Sequence, residues 1–273
     1  MGDLFHEDCP DEWIDKVFAV MELSPQHTFQ VLTKRAARMQ DYCSTIQKNG
    51  RWLVMEDIAQ QLGYKPRGEH DRGFDWISHK QFLPNVWLGV STERQQEADE
   101  RIPLLLQTPA AIRFVSAEPL LAPIDLSTPF ASGRPYLGLP IHQNPHDESW
   151  HQYGRSIPHL DWVIAGGESG PNARPMHPDW ARLLRDQCAA AGVNYFFKQW
   201  GEWAPGECAD FAPSKMERTA TWFVDDWSFG ALTPRESEET HVDDAPDLYR
   251  IGKKRAGRKL DGELHNGMPA VRA

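Results

Sequence analysis

The sequence predicts an α/β protein: parallel β/α repeats forming a partial TIM-type barrel whose first strands are missing, with a long Pro/His-rich insertion and an irregular C-terminal extension. Three observations carry this expectation. Short apolar runs alternate with stretches of helical periodicity. Each run ends in a polar, mostly charged cluster, which is how parallel α/β folds build a ligand site at the carboxyl ends of their strands. The chain also opens on Leu4-Phe5-His6-Glu7-Asp8, which reads as the tail of a strand with its end cluster but without the strand.

The elements follow in order. A helix is predicted over 9–23, capped by Asp8, with Pro10 in its first turn and Trp13, Val17, Val20 and Met21 at helical spacing. Strand 28–32 leads to a helix over 35–48 with Ala36, Met39 and Cys43 inward. An insertion over 49–83 holds a short helix at 55–62 and a polar loop at 63–73. Strand 86–90 precedes a helix over 92–107 with Ala98, Ile102 and Leu105 on one face. Strand 112–116 opens into a second insertion, 119–160, whose prolines and histidines leave it to be ordered by packing rather than by its own secondary structure. Strand 161–165 is followed by a helix over 178–191, opened by Pro178, burying Leu183 and Leu184 and closed by Gly192. Strand 193–197 completes the series. Right-handed connections of this kind give an open sheet or most of a barrel. Residues 1–201 form this body, and 202–273 form an extension that is acidic and Trp-rich, then basic.

Composition narrows the function classes. Hydrophobic residues make up 40% and charged residues 25% of 273, ordinary for a globular protein with a sizeable core. No apolar run reaches the roughly 18–20 residues that span a bilayer, and no signal peptide opens the chain. A cytoplasmic protein without membrane contact is expected. Cys9, Cys43, Cys188 and Cys208 are far apart in sequence, so reduced thiols are expected rather than a metal site. The 11 Trp residues serve either as core and loop anchors or as the walls of an aromatic pocket.

The end clusters supply the candidate site: Lys34 and Arg35, then Glu93, Glu118, the run Gly166-Gly167-Glu168-Ser169, and Lys198-Gln199-Trp200. The glycines let the backbone turn tightly and let a ligand approach. Glu93, Glu118 and Glu168 follow three strands at equivalent positions. They bind a cation, do acid–base work, or form a salt-bridged plug with the neighbouring Lys and Arg. No nucleotide fingerprint is present. His142, His146, His151 and His159 are expected as surface loop residues, because Pro145 breaks any helix that would align the first two. Lys253, Lys254, Arg255, Arg258 and Lys259 form a basic stretch that either contacts phosphate or nucleic acid or offsets the acidic segment before it.

Taken together, Phe29 through Arg35, Asn85 through Ser91, Ser116 through Leu120, Asp161 through Gly170, Phe197 through Gly201 and Gly252 through Gly262 resemble the phage gene-product thirty-seven/sixty-eight family over nearly the whole chain. That resemblance implies no established activity. Longer members open with a three-cysteine motif that implies an iron–sulfur cluster, and their barrel is similar to that of radical S-adenosylmethionine enzymes. The motif belongs upstream of Leu4, where this sequence has nothing, and Cys9 alone cannot replace it. The resemblance therefore implies a protein inactive alone, with its unpaired sheet edge covered by a partner chain or a second copy. Gly166-Gly167-Glu168 comes too late in the chain to take the methionine-binding role that a Gly-Gly-Glu run has in radical enzymes.

Overall fold

The computed structural model describes residues 2–46, 51–63, 83–127, 136–138, 142–143, 150–151, 158–206, 215–239 and 247–270. Helix α1 (Asp11–Glu22) starts after Pro10, and Asp11 and Glu12 in its first turn complement the helix dipole. Asp8 does not cap it. Its inward stripe is Ile14, Phe18, Ala19 and Met21, whereas Trp13 is 62% exposed and Val20 is 45% exposed. The buried stripe thus lies one position on from the expected Trp13/Val17/Val20 line. Asp15 anchors this face: it is buried and accepts from Tyr42 Oη at 2.6 Å and from Arg51 Nη1 at 3.0 Å.

Strand β1 (Phe29–Thr33) is followed by α2 (Ala36–Thr45), α3 (Arg51–Gln61) and β2 (Val86–Ser91), then by α4 (Gln95–Gln107) and β3 (Ile112–Ala117). Two-residue strands β4 (His142–Gln143) and β5 (Trp150–His151) pair in the insertion. The body ends with β6 (Trp162–Gly166), α5 (Pro178–Ala191) and β7 (Asn194–Gln199). Pro178 opens α5, the His177 imidazole accepts from the Asp179 N–H at 3.2 Å, and Gly192 closes the helix at φ 68°. Leu184 is buried there, but Leu183 is 39% exposed.

The long strands form one five-stranded sheet in the order β1-β2-β3-β6-β7, every neighbouring pair parallel. Helices α1, α2, α4 and α5 contribute to one core with Val31, Leu88, Val90, Val115, Val163, Ala165 and Phe197. Because side chains alternate along a strand, the opposite face carries a separate aromatic cluster: Trp87, Ile112, Phe114 and Trp162, with Leu32, Ile164 and Phe196 beside it. The sheet is open, and no barrel closes among the described residues. The β7 edge is covered by the C-terminal strand-like segment, where Phe197 N–H donates to His265 O at 3.1 Å and Gly267 N–H to Tyr195 O at 2.9 Å.

The expectation of an irregular C-terminal extension is corrected. Strands β8 (Trp203–Ala204), β9 (Glu217–Phe223), β10 (Asp226–Leu232) and β11 (Leu248–Arg250) form an antiparallel sheet in the order β10-β9-β11-β8, with α6 (Pro234–Glu239) and α7 (Lys253–Ala256). The β-branched and aromatic residues of 219–223 and 227–229 favour strands, and Val224 and Asp225, both at positive φ, make the tight hairpin turn. The Asn-Gly signal that marks such turns is absent at this position, where the chain has Val224-Asp225.

Candidate functional site

The carboxyl ends of the parallel strands carry the charged clusters, and the structure joins most of them by ion pairs and hydrogen bonds. Lys34, just past β1, places Nζ 2.5 Å from Glu93 Oε1, just past β2. Glu93 is buried and also pairs with Arg101 Nη1 at 3.2 Å. Arg35 turns away from this pair and binds Asp3 and Glu7. Asp3 receives hydrogen bonds from Thr33 Oγ1 at 2.6 Å and from the Lys34 N–H at 3.2 Å. Burial acts to raise the Asp3 pKa, but these bonds outweigh it and leave the carboxyl below its ordinary value.

Glu118 follows β3 and Lys198 lies on β7, so the contact between them spans the intervening β6. Lys198 Nζ sits 2.7 Å from Glu118 Oε2. Gln199 fastens the same region: its amide nitrogen donates to Glu118 Oε1 at 2.9 Å, Ser169 Oγ at 3.1 Å and Gly167 O at 3.2 Å. Glu168 takes a different course. It is held by Arg174 through Nε at 2.8 Å, Nη2 at 2.8 Å and the backbone N–H at 2.8 Å. The Arg174 hydrogen bonds hold its carboxyl below the usual range against a smaller effect of burial. A carboxylate so held is a weak base. Arg174 is a site neighbour that the sequence reading missed.

The glycines have a use other than ligand approach. A Cβ on Gly167 would lie 1.9 Å from Trp200 O, and one on Gly201 would lie 2.0 Å from Glu168 O. The 166–168 and 200–201 turns therefore cross in contact, tied by Gly167 N–H to Gln199 O at 2.9 Å and Glu202 N–H to Glu168 O at 2.9 Å. Trp200 is buried against Phe197, and its indole N–H donates to Lys259 O at 2.7 Å.

A cavity of about 720 Å³ opens on the sheet face that carries the aromatic cluster. Phe114, Trp162, Ile164, Phe196 and Leu32 line it, and Ser116, Glu118 and Lys198 bring it polar atoms. Trp162 packs edge-on against Phe196 at 6.0 Å, and its indole N–H is fixed by Gly267 O at 2.7 Å. Beyond β1 the cavity reaches Leu4, Val17 and Met21. The sequence reading named Glu118 and Lys198 and offered the Trp residues either as core anchors or as pocket walls, but it did not single out Leu32, Phe114, Ile164 or Phe196. The signal was present: Trp87, Phe114, Trp162 and Phe196 all alternate with residues of the helix-side core.

The basic stretch divides. Arg255 pairs with buried Glu217 at 3.1 Å, and Arg258 lies over the Phe196 ring at 4.8 Å and donates to Asn266. Lys259 gives its backbone carbonyl to Trp200. Lys253 and Lys254 stand exposed on α7.

No group of three or more His, Cys, Asp or Glu side chains among the described residues could hold a metal ion. Cys9, Cys43 and Cys188 are free; burial pushes the Cys43 thiol up and the Cys188 thiol up to about 12. Cys208 and His146 lie outside the described residues, as do the side chains of His142 and His151; His159 sits 3.9 Å from Asp161. No helix among the described residues is long and apolar enough to cross a membrane.

No curated protein and no solved structure matches the chain. The family model described as protein of unknown function (DUF5131) matches residues 1–269. With the match running from the first residue almost to the last, the chain belongs to the DUF5131 family.

Proposed function

We propose that the protein binds a flat organic molecule on the aromatic face of its parallel sheet, with Glu118 and Lys198 reading the molecule's polar end. The observation that carries this reading is the cavity of about 720 Å³, floored by Phe114, Trp162 and Phe196 and edged by the Glu118–Lys198 pair. Small-molecule sites combine an apolar lining with a few convergent polar groups in just this way. Lys198 is 52% exposed, so its ammonium can exchange one partner for another, while Glu118 keeps the Gln199 bond. An anionic or carbonyl group fits Lys198, and an amine or amide N–H fits Glu118.

On this reading the sheet is the arc of a TIM-type barrel, with the ligand where barrels bind theirs, near the carboxyl ends of the strands. The resemblance to the phage gene-product thirty-seven/sixty-eight family and to radical S-adenosylmethionine barrels supports that placement. The thiols described above do not fit an iron–sulfur cluster, so no chemical step is assigned to one. Glu168, held by Arg174, is not assigned as a base. The free thiols support a reducing, cytoplasmic setting.

The test is saturation-transfer NMR with a panel of nucleosides, indoles and aromatic carboxylates. Bound members of the panel should be lost in Trp162→Leu, and carboxylates should weaken selectively in Lys198→Met. A panel that binds both variants as well as the parent chain would refute the site.

The exposed Lys253 and Lys254 favour a second reading, contact with nucleic acid through α7. Gel retardation should then weaken with salt and in a Lys253, Lys254 double-alanine variant. Unchanged retardation would remove this reading.

A further inference from the structure

Strand β10 is the outer strand of the antiparallel sheet, and no described residue pairs with its free edge. Its seven residues, Asp226–Leu232, run in unbroken register with β9. Within the strand itself, three devices that stop edge strands from associating are missing: it has no Lys, no Pro and no bulge, and its one charge is Asp226 at its start. Phe229 is 55% exposed although its ring lies beside Trp203 at 5.8 Å.

The backbone defines which groups face outward. The two-residue turn at Val224 and Asp225 makes Phe223 and Asp226 the first hydrogen-bonded pair. Alternation then places Trp227, Phe229 and Ala231 at positions that are not hydrogen-bonded to β9, so their N–H and C=O groups point to the free edge.

We propose that two copies of the chain pair through β10, antiparallel, about a two-fold axis at Phe229. The strand is its own complement in this register. Phe229 meets Phe229 of the other copy. Trp227 meets Ala231, a large side chain against a small one, and Ser228 meets Gly230. Asp226 meets Leu232, so no like charges face one another within the strand. The interface is isologous, and each copy supplies the outward N–H and C=O groups that the other lacks. Phe229 would extend the Trp203–Ala220 surface across the axis.

Sedimentation equilibrium of the full chain tests this, over about 1 to 100 µM, the range in which micromolar association is resolved. The parent chain should be a monomer–dimer mixture. Phe229→Lys sets two like charges opposite each other at the axis and should weaken the dimer by about tenfold or more. Phe229→Thr, an uncharged strand former, should retain it. Amide exchange at Phe229 and Ala231 should slow as concentration rises. A parent chain that is monomeric throughout would overturn the proposal. So would a dimer that persists unchanged in Phe229→Lys, or one that leaves the Phe229 and Ala231 amides unprotected.

Discussion

Gly167 shows how a residue singled out in the sequence for ligand approach can be required by a crossing of two turns. A glycine pair after a buried strand reads as room for a ligand, but here the room is taken by the Trp200 carbonyl. No side chain fits where a Cβ would come within 1.9 Å of a backbone oxygen. Gly167→Ala should therefore cost about 2–3 kcal/mol, the scale of overpacking, as a lowered urea midpoint at unchanged slope. Spacing could not reveal this, because it depends on a turn that lies more than thirty positions away in the chain. The same holds for the charges. Lys34, Glu93, Glu118 and Lys198 were legible as strand-end residues, but their pairing across the sheet was not.

The acid response is also set at single residues. The folded-state pKa is below the ordinary value for Glu168, through Arg174, and for Asp261, through Arg182 with burial opposing. It is also below for Asp3, where hydrogen bonds outweigh burial. The unfolded chain thus holds these protons more tightly. The stability they contribute is present above the unfolded pKa of about 4 and is lost as pH falls through the lower folded values. Urea midpoints should drop between about pH 5 and pH 2, and the drop should be shallower in an Arg174→Met, Arg182→Met double variant. Equal slopes in the two proteins would show that these pairs do not set the response.

At the scale of elements, helical periodicity located α1 but not its buried stripe. Trp13 and Val20 are apolar and correctly spaced, yet they face outward, and Ile14 and Phe18 fill the core. Two apolar stripes lie side by side on this helix, and packing against Tyr42 of α2 and against α3 selects between them. Phe18→Ala should cost about 3–5 kcal/mol as a buried aromatic truncation. Trp13→Ala should stay within about 0.5 kcal/mol, as surface changes do, and thermal denaturation of the two variants separates the cases. The β9–β10 hairpin escaped the sequence reading for another reason: Val224 is β-branched and sits at φ 47°, a backbone region that such residues rarely adopt. Val224→Gly should therefore raise the melting temperature by relieving this turn, and a lower melting temperature would show that the tip is held by contacts of its side chain.

For the whole molecule, the parallel sheet was legible because its strands are short, largely buried apolar runs and because β1, β2 and β6 each lead into a helical stretch. Those strands then pair in chain order. Whether the sheet closes was not legible, since closure depends on strands that alternation of elements cannot count. The antiparallel sheet was hidden because its strands come from segments separated in sequence and joined by acidic, Pro-bearing connections. What emerges is a sheet with two unlike faces. One is covered by helices; the other is an aromatic surface opening to Glu118 and Lys198. This second face is the core of the functional account, and chemical-shift mapping of the ¹³C-methyl and indole N–H resonances tests it most directly. Titration with the flat aromatic compounds that bind should move Leu32, Ile164 and Trp162 together and leave the helix-side Leu88 and Val163 in place. Shifts confined to the helix side, to α7 or to the β9–β10 hairpin would contradict it.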